Sequence, residues 1–257
     1  MKETITEYIA NLEREENIRV LLAAESGSRS WGFPSADSDY DVRIIYVHAP
    51  EWYFAVSKTR DTIEYMSDDR QFDLSGWDLR KALVLMSRTN PSFSDWLFSD
   101  VIYLENKEFV NDLRELHDFY YNPLRAAHHY ASLARNFKSY VTAGDEVNPK
   151  KLLYFLRAIL NTEYIIEHEA HPPVNFISTV DSLHVGKDIR LIIDKLILTK
   201  RAFREKDLAA VDSRLLEFAL LHYDDVMGKM EDFHSEWRFP SCGLSPLDQF
   251  VTAYITG

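Results

Sequence analysis

The chain has 257 residues, of which 46% are hydrophobic and 27% charged, and its formal net charge is -12. This composition is typical of a globular protein with a buried core and excludes a largely disordered chain. The negative charge argues against sequence-independent nucleic-acid binding, which depends on a basic surface, but it is compatible with a local basic cleft. The single cysteine, Cys242, excludes an intramolecular disulfide and a Cys-rich zinc site. No stretch has the length of a membrane span or the pattern of a signal peptide, so a cytoplasmic location is expected.

The first part of the chain mixes helix and strand patterns. Apolar residues at helical spacing predict a helix over 4–15. Short apolar runs rich in β-branched residues predict strands over 18–24, 39–47, 59–65, 72–75 and 101–104. A tight turn is expected at 26–28, after the first strand. From Asp78 the apolar period becomes helical until Asn90-Pro91, where proline disfavours a helical predecessor, and a short helix follows over 92–98.

Beyond Glu105 the remaining patterns are helical. Helices are predicted over 107–119, 123–142, 149–169, 187–204 and 208–230. The fold class is therefore α+β. A domain over 1–105, with a mixed sheet and flanking helices, is followed by an all-helical domain over 106–257.

Two aspartates lie at the start of the second predicted strand. Asp39 and Asp41 are two residues apart, so their side chains project to the same face. Two such charges ~4 Å apart repel by ~4 kcal/mol at a surface-like dielectric, which a cation would relieve. Hard oxygen ligands without nearby His or Cys favour Mg²⁺ or Mn²⁺, and Mg²⁺ is usually shared with substrate phosphates. An Asp-rich turn is the alternative, but Gly27-Ser28 upstream can approach a phosphate closely and donate to it, which favours metal and nucleotide binding.

These residues resemble a known signature. Gly27-Ser28, then ten residues, then Asp39-Tyr40-Asp41 is similar to the glycine-serine and Asp-x-Asp motif of DNA polymerase β superfamily nucleotidyltransferases. One branch is resembled more closely, namely the predicted nucleotidyltransferases associated with RNA ligase and RNA repair. The segments that carry this likeness are GSRSWG at 27–32, SDYDVR at 38–43, GWDLRKAL at 76–83, Asn90-Pro91 and Trp96-Leu97.

The resemblance implies roles for individual residues. Gly27 and Ser28 would contact the triphosphate, while Asp39 and Asp41 would bind Mg²⁺ or Mn²⁺. Residues 1–105 would form the catalytic domain, and the helices of 106–257 would bind nucleotide or substrate.

A third metal-binding carboxylate is expected on a following strand, as general base or to place the attacking hydroxyl. Asp73 is favoured because apolar residues flank it as they would in a strand. Asp78 is the competitor, although it directly precedes a helical run and fits an N-cap equally well.

Three residues near the motif have two interpretations each. Arg29 either clamps phosphate or pairs with an acidic residue. Arg43 lies on the face of Asp41 and either balances charge or meets substrate. Trp31 either stacks on a base or anchors packing.

In the helical half, Lys150, Tyr154 and Arg157 are spaced along one helix face. The resemblance implies that this face touches the nucleotide, whereas spacing alone favours a solvated face. Clustering of the basic residues of this half would favour an RNA acceptor over a protein or a small molecule. These residues are Arg125, Lys138, Lys150, Lys151 and Arg157.

The function predicted from these observations is metal-dependent transfer of a nucleoside monophosphate from an NTP to a hydroxyl acceptor. The resemblance implies an RNA end as acceptor, in RNA repair. The rival prediction is a non-catalytic nucleotide sensor or antitoxin-like partner on the same fold. No membrane partner is expected.

Overall fold

The computed structural model of the protein describes residues 1–56, 60–67, 71–141, 146–202 and 209–256. The elements in chain order are α1 (Lys2–Glu16), β1 (Ile18–Glu25), α2 (Gly27–Ser30), β2 (Tyr40–His48), a 3₁₀ helix (Pro50–Phe54), β3 (Thr62–Met66), β4 (Phe72–Asp78), α3 (Leu79–Ser87), α4 (Pro91–Leu97), β5 (Ile102–Glu105), α5 (Lys107–Tyr120), α6 (Pro123–Val141), β6 (Glu146–Val147), α7 (Pro149–His168), α8 (Phe176–Ser182), α9 (Lys187–Ala202), β7 (Ala209–Ala210), α10 (Ser213–Asp232) and α11 (Ser245–Thr256). Four predicted element ends lie outside the described residues, at Thr59, Thr142, Arg204 and Leu208.

The chain packs as two compact units, of which the first contains residues 1–27, 39–121 and 238–257. Its sheet has five strands in the order β3-β4-β2-β1-β5. β1 pairs antiparallel with β2 and β5, β3 pairs antiparallel with β4, and β2 runs parallel to β4. The sheet is therefore mixed, as predicted. The interior strand β1 is almost continuously apolar because both of its faces are covered.

Alternation along the strands separates two apolar layers. Val42 and Leu74 belong to a cluster that α1 closes with Ile5 and Ile9. The intervening positions of β2 belong to a second cluster, which α3, α4, α5 and α11 cover on the opposite face. Asp41 and Arg43 project from the same face of β2 as this second cluster, near the N-terminal end of the strand.

The second unit contains residues 28–38 and 122–237. Its core is built by α6, α7, α9 and α10, and Phe33 of the 28–38 loop is fully buried in that core. In the described residues of this unit, the regular elements are helices apart from the two-residue strands β6 and β7. The boundaries of these two units differ from the predicted domain boundary at residue 105. The reason is that α5 and α11 pack with the sheet, while the 28–38 loop packs with the helices. The domain boundary at 105 stays a prediction.

Several short elements were not predicted. Residues Gly27–Ser30 form one helical turn rather than a simple tight turn. The helices α8, of seven residues, and α11, of twelve, were also not predicted. Within the described part of the chain, no helix combines the length and apolar character needed to cross a bilayer.

Glu163 of α7 gives the second unit a pH-dependent contact. Its side chain is 8% exposed and accepts hydrogen bonds from His222 Nε2 at 2.6 Å and Lys229 Nζ at 3.1 Å. Lys229 also pairs with Asp225 at 2.9 Å. Burial raises the pKa of Glu163, but the hydrogen bonds and charges of His222 and Lys229 outweigh it and hold the pKa below its ordinary value of 4.5.

A lowered pKa stabilises the fold above the unfolded-state pKa, and this contribution is lost as pH falls through the folded-state pKa. The free energy of unfolding of the wild type is therefore expected to fall more steeply than that of Glu163→Gln between about pH 6 and about pH 3. Urea unfolding at several pH values measures both slopes. Glu167→Gln, on the exposed face of the same helix, should behave as wild type. Equal slopes for Glu163→Gln and wild type would contradict the prediction.

Candidate functional site

The sheet brings two of the predicted carboxylates together. The parallel pairing of β2 with β4 places Asp41 directly opposite Asp73. Both side chains are partly exposed, whereas Val42 and Leu74 beside them are fully buried on the other face. Asp39, the third predicted ligand, lies one residue before β2 and is half-buried. Asp41 and Asp73 thus lie side by side on neighbouring strands, and their role as metal ligands stays a prediction.

Arg43 bridges the two carboxylates. Its Nη2 donates to Asp41 Oδ1 at 2.7 Å and to Asp73 Oδ2 at 2.8 Å, and its Nη1 donates to the backbone oxygen of Asp73 at 3.2 Å. A guanidinium so placed offsets the repulsion between the two negative charges. Of the two roles considered for Arg43, charge balance is the one these contacts display.

Gly27 lies against the carboxylate of Asp41. Its φ is +61°, and a Cβ built on Gly27 would stand 2.2 Å from Asp41 Oδ2. An alanine there would require both a left-handed backbone and displacement of the carboxylate. Glycine is therefore favoured at this position for two independent reasons.

Glu25 is a site residue for which the sequence analysis predicted no role. It is fully buried at the end of β1 and accepts a hydrogen bond from the backbone N–H of Asp41 at 2.8 Å. Its other carboxylate oxygen accepts from Tyr103 Oη, and its backbone oxygen accepts from Ser99 Oγ at 2.7 Å. Glu25 thereby fixes the backbone of Asp41. A charged residue directly after the apolar run 20–24 was the available sequence signal.

A cavity of about 400 Å³ opens beside Asp73. It is lined by Arg43, Glu64, Tyr65, Met66, Asp73 and Ser75. The register places Ser75 opposite Glu64 and Asp73 opposite Met66, so the cavity spreads over β4 towards the edge strand β3. It is large enough to admit a small molecule, or part of a larger one, next to the Asp73 carboxylate.

Asp78 has a structural position. It pairs with Tyr46 in the register that pairs Asp73 with Asp41, so it lies five residues further along β4 and on the opposite face. Its side chain is fully buried, accepts from Tyr53 Oη at 2.7 Å and caps α3 by accepting from Arg80 N at 3.0 Å. Asp73, rather than Asp78, stands beside Asp41.

Removing Asp78 is expected to act on stability alone. Asp78→Ala deletes an N-cap and leaves the partly buried Tyr53 hydroxyl without its acceptor, which should cost about 2–4 kcal/mol of unfolding free energy. Chemical denaturation measures that loss. Divalent-cation binding, measured by calorimetry below the unfolding transition, should match the wild type. A stable variant that has lost cation binding would reverse the assignment of Asp73 and Asp78.

The 28–38 loop of the second unit holds a cluster of buried hydroxyls. Ser38 Oγ lies 3.2 Å from Ser28 Oγ and 3.0 Å from Ser35 Oγ, and it also accepts from Ser35 N at 2.9 Å. Arg29 Nη2 donates to the backbone oxygen of Ser38 at 2.6 Å, so the guanidinium braces the loop.

The predicted basic face of α7 is partly buried. Arg157 is 6% exposed, and its guanidinium lies 4.2 Å from the centre of the Trp31 ring. Tyr154 meets Trp31 edge-on at 5.3 Å, and Lys150 Nζ lies 5.7 Å from the Tyr154 ring. A solvated face is therefore the wrong description for Arg157, and Trp31 packs against Arg157 and Tyr154. A cavity of about 170 Å³ remains among their neighbours, lined by Trp31, Tyr130, Leu133, Phe137, Tyr154, Arg157 and Ala158.

The other basic residues of the helical half have separate surroundings. Lys138 pairs with Asp224 at 3.0 Å. Lys151 lies over the rings of Phe137 and Tyr140, at 5.4 and 4.7 Å. Arg125 is exposed on α6. Lys151 reaches Phe137, whose ring meets that of Tyr154 at 5.5 Å, and Lys150 lies over the same Tyr154 ring. An RNA acceptor stays a prediction.

Comparison with known proteins identifies relatives of the whole chain. Residues 1–240 match the family model RlaP, described as the RNA repair pathway DNA polymerase beta family. "Uncharacterized protein YcgL" of Bacillus subtilis (strain 168) is 37% identical over 248 residues, covering 96% of this chain and 95% of the relative. A nucleotidyltransferase-like protein from Exiguobacterium sibiricum 255-15 aligns in structure with a TM-score of 0.36 and 11% identity, covering 98% of this chain and 87% of that one. The resemblance inferred from the motifs is confirmed, and the chain belongs to the RNA repair pathway DNA polymerase beta family.

Proposed function

We propose that the protein is a divalent-metal-dependent nucleotidyltransferase that moves a nucleoside monophosphate from an NTP to a hydroxyl acceptor. The observation that carries the proposal is the pairing of Asp41 with Asp73 on adjacent parallel strands, with Gly27 against the Asp41 carboxylate. Membership of a polymerase β family supports it.

The residues fit a hard divalent cation. Asp41 and Asp73 already share one cationic group, the Arg43 guanidinium, and their donor atoms are carboxylate oxygens. Such donors suit Mg²⁺ or Mn²⁺ rather than zinc. Asp39, Asp41 and Asp73 would hold the ion. When bound, it supplies polarisation of the phosphoryl oxygens and acidification of the attacking hydroxyl.

The remaining residues bind and orient. Gly27 and Ser28 are assigned to the triphosphate by the family resemblance, and Arg29 adds a guanidinium beside Ser28 in the chain. Lys150, Tyr154 and Arg157 are assigned to the nucleotide by the same resemblance, and Tyr154 and Arg157 line the cavity of about 170 Å³ in the second unit.

Asp73 is assigned the proton transfer. The acceptor oxygen forms a bond to the α-phosphorus, and the bond from that phosphorus to the bridging oxygen of the β-phosphate breaks. Pyrophosphate leaves, and the acceptor proton passes to the Asp73 carboxylate. The cavity beside Asp73 offers room for the acceptor. The family description favours an RNA end in that role.

The test is transfer of label from each α-³²P-NTP, with Mg²⁺ or Mn²⁺, into a mixture of total RNA and cell protein. Wild type is compared with Asp39→Ala/Asp41→Ala, and Asp37→Ala, an exposed aspartate of the same loop, is the matched control. Label entering RNA with wild type and control alone supports the full proposal, and label entering protein moves the acceptor to protein. Metal-dependent NTP binding without transfer would replace the enzyme with a nucleotide sensor. Neither binding nor transfer would overturn the proposal.

A further inference from the structure

Lys200 is a buried lysine that contacts the loop carrying Ser28. Lys200 lies in α9 and is 2% exposed. Its Nζ donates to the backbone oxygen of Phe33 at 2.7 Å and to Ser35 Oγ at 3.2 Å. A buried ammonium group is costly and persists where several acceptors compensate it. Both of these acceptors belong to the 28–38 loop.

The contact continues through side chains to Ser28. Ser35 Oγ lies 3.0 Å from Ser38 Oγ, which lies 3.2 Å from Ser28 Oγ. These serines are 5%, 7% and 7% exposed, respectively. Four polar groups therefore form an unbroken buried chain from Lys200 to Ser28.

The donors and acceptors that each group offers fix the direction of these hydrogen bonds, from Lys200 towards Ser28. The ammonium group only donates, so Ser35 Oγ accepts from Lys200 and has its own proton to give. Ser38 Oγ accepts from the Ser35 backbone N–H at 2.9 Å and, in this direction, from the Ser35 hydroxyl. It then donates to Ser28 Oγ. Among the residues that the structure describes, the opposite direction would leave the Ser35 proton buried without an acceptor, and it would turn the Ser38 proton towards the positive charge.

We propose that Lys200 is a positioning residue for phosphate binding, which orients the serine chain so that the Ser28 hydroxyl donates to a phosphate oxygen of the nucleotide. Ser28 Oγ accepts from Ser38, which leaves its own proton for an incoming anion. Ser38 therefore transmits the effect of a residue that never meets the ligand. This inference rests on the proposed function, in which Ser28 contacts the triphosphate.

The experiment measures binding of each NTP with Mg²⁺ by isothermal titration calorimetry. Ser28→Ala is expected to weaken binding about tenfold or more, because a donor to a charged acceptor is lost. Lys200→Met and Ser38→Ala, which remove the start and the middle of the chain, should each weaken binding by about threefold to tenfold. In the Ser28→Ala background, neither change should weaken it further, since coupled residues are not additive. Arg201→Met is the control, because Arg201 approaches the backbone oxygen of Gly32 without contacting the serines.

If Lys200 has a purely structural role, Lys200→Met should lower thermal stability. Its loss of affinity should then be the same with and without Ser28→Ala. Ser38→Ala removes one oxygen atom, so it carries the test if Lys200→Met fails to fold. Wild-type affinity in both Ser38→Ala and Lys200→Met, or equal losses with and without Ser28, would overturn the inference.

If wild type binds no NTP, the proposed function fails. A thermal-shift titration with inorganic tripolyphosphate on the same variants then tests the anion-binding role of the chain separately. The expected result is stabilisation of the wild type that Ser28→Ala, Ser38→Ala and Lys200→Met reduce. No stabilisation of the wild type would overturn the inference as well.

Discussion

Replacing Asp73 with asparagine is expected to slow nucleotidyl transfer by about 10²- to 10⁴-fold, the range associated with loss of a general base. Asparagine keeps the shape of the side chain but cannot take the acceptor proton at neutral pH. The ion pair that Asp73 loses with Arg43 is partly exposed, so the melting temperature should change little. Single-turnover transfer of label from NTP measures the rate.

Ser75→Ala is the matched control for Asp73→Asn. Ser75 lines the same cavity and lies on the same face of β4, but it carries no carboxylate. Its rate of transfer should stay near that of the wild type. Comparable rates for Asp73→Asn and wild type would assign the proton transfer to another group.

Gly27→Ala should have a comparably large effect on transfer. The added Cβ would stand 2.2 Å from Asp41 Oδ2, so the flexible carboxylate must move away. Displacing a reacting group by about 1 Å can cost on the order of 10²-fold in rate. The left-handed backbone adds an unfolding cost of about 1–2 kcal/mol. Single-turnover rate and chemical denaturation measure the two effects separately.

Gly243→Ala separates the effect of backbone strain from the effect of steric overlap with Asp41. Gly243 has a φ of +63°, close to that of Gly27, but an added Cβ would meet no atom within 4 Å. The two variants should lose similar stability, and only Gly27→Ala should lose transfer and cation binding. Loss of transfer in both variants would show that strain alone explains the effect.

The features predicted correctly from sequence depend on neighbours in the chain. The alternation of Phe72 and Leu74 with Asp73 set the strand and the exposed position of its carboxylate. The cap position of Asp78 followed from the helical run directly after it. The confirmed mixed sheet and the family also depended on local patterns, because strand period and motif spacing are read within a few dozen residues.

The features that sequence analysis missed depend on distant partners. Glu25 contacts Tyr103, which lies 78 residues away, and Lys200 contacts Phe33 across 167 residues. Each of these polar groups points to a role because it is buried. Burial is a property of the folded chain and is not visible in the local sequence pattern. Arg157 illustrates the same point, since its spacing favoured a solvated face and its position is beneath Trp31.

The parallel pairing of β2 with β4 also limits how the length of the chain can change during evolution. A residue inserted in a connection between strands leaves the pairing of Asp41 with Asp73 intact. A residue inserted within β4, between Phe72 and Asp73, would turn the carboxylate into the apolar layer closed by α1 and bring an apolar side chain to the surface. Insertions and deletions among relatives are therefore expected in the connections, while β2 and β4 keep a constant length.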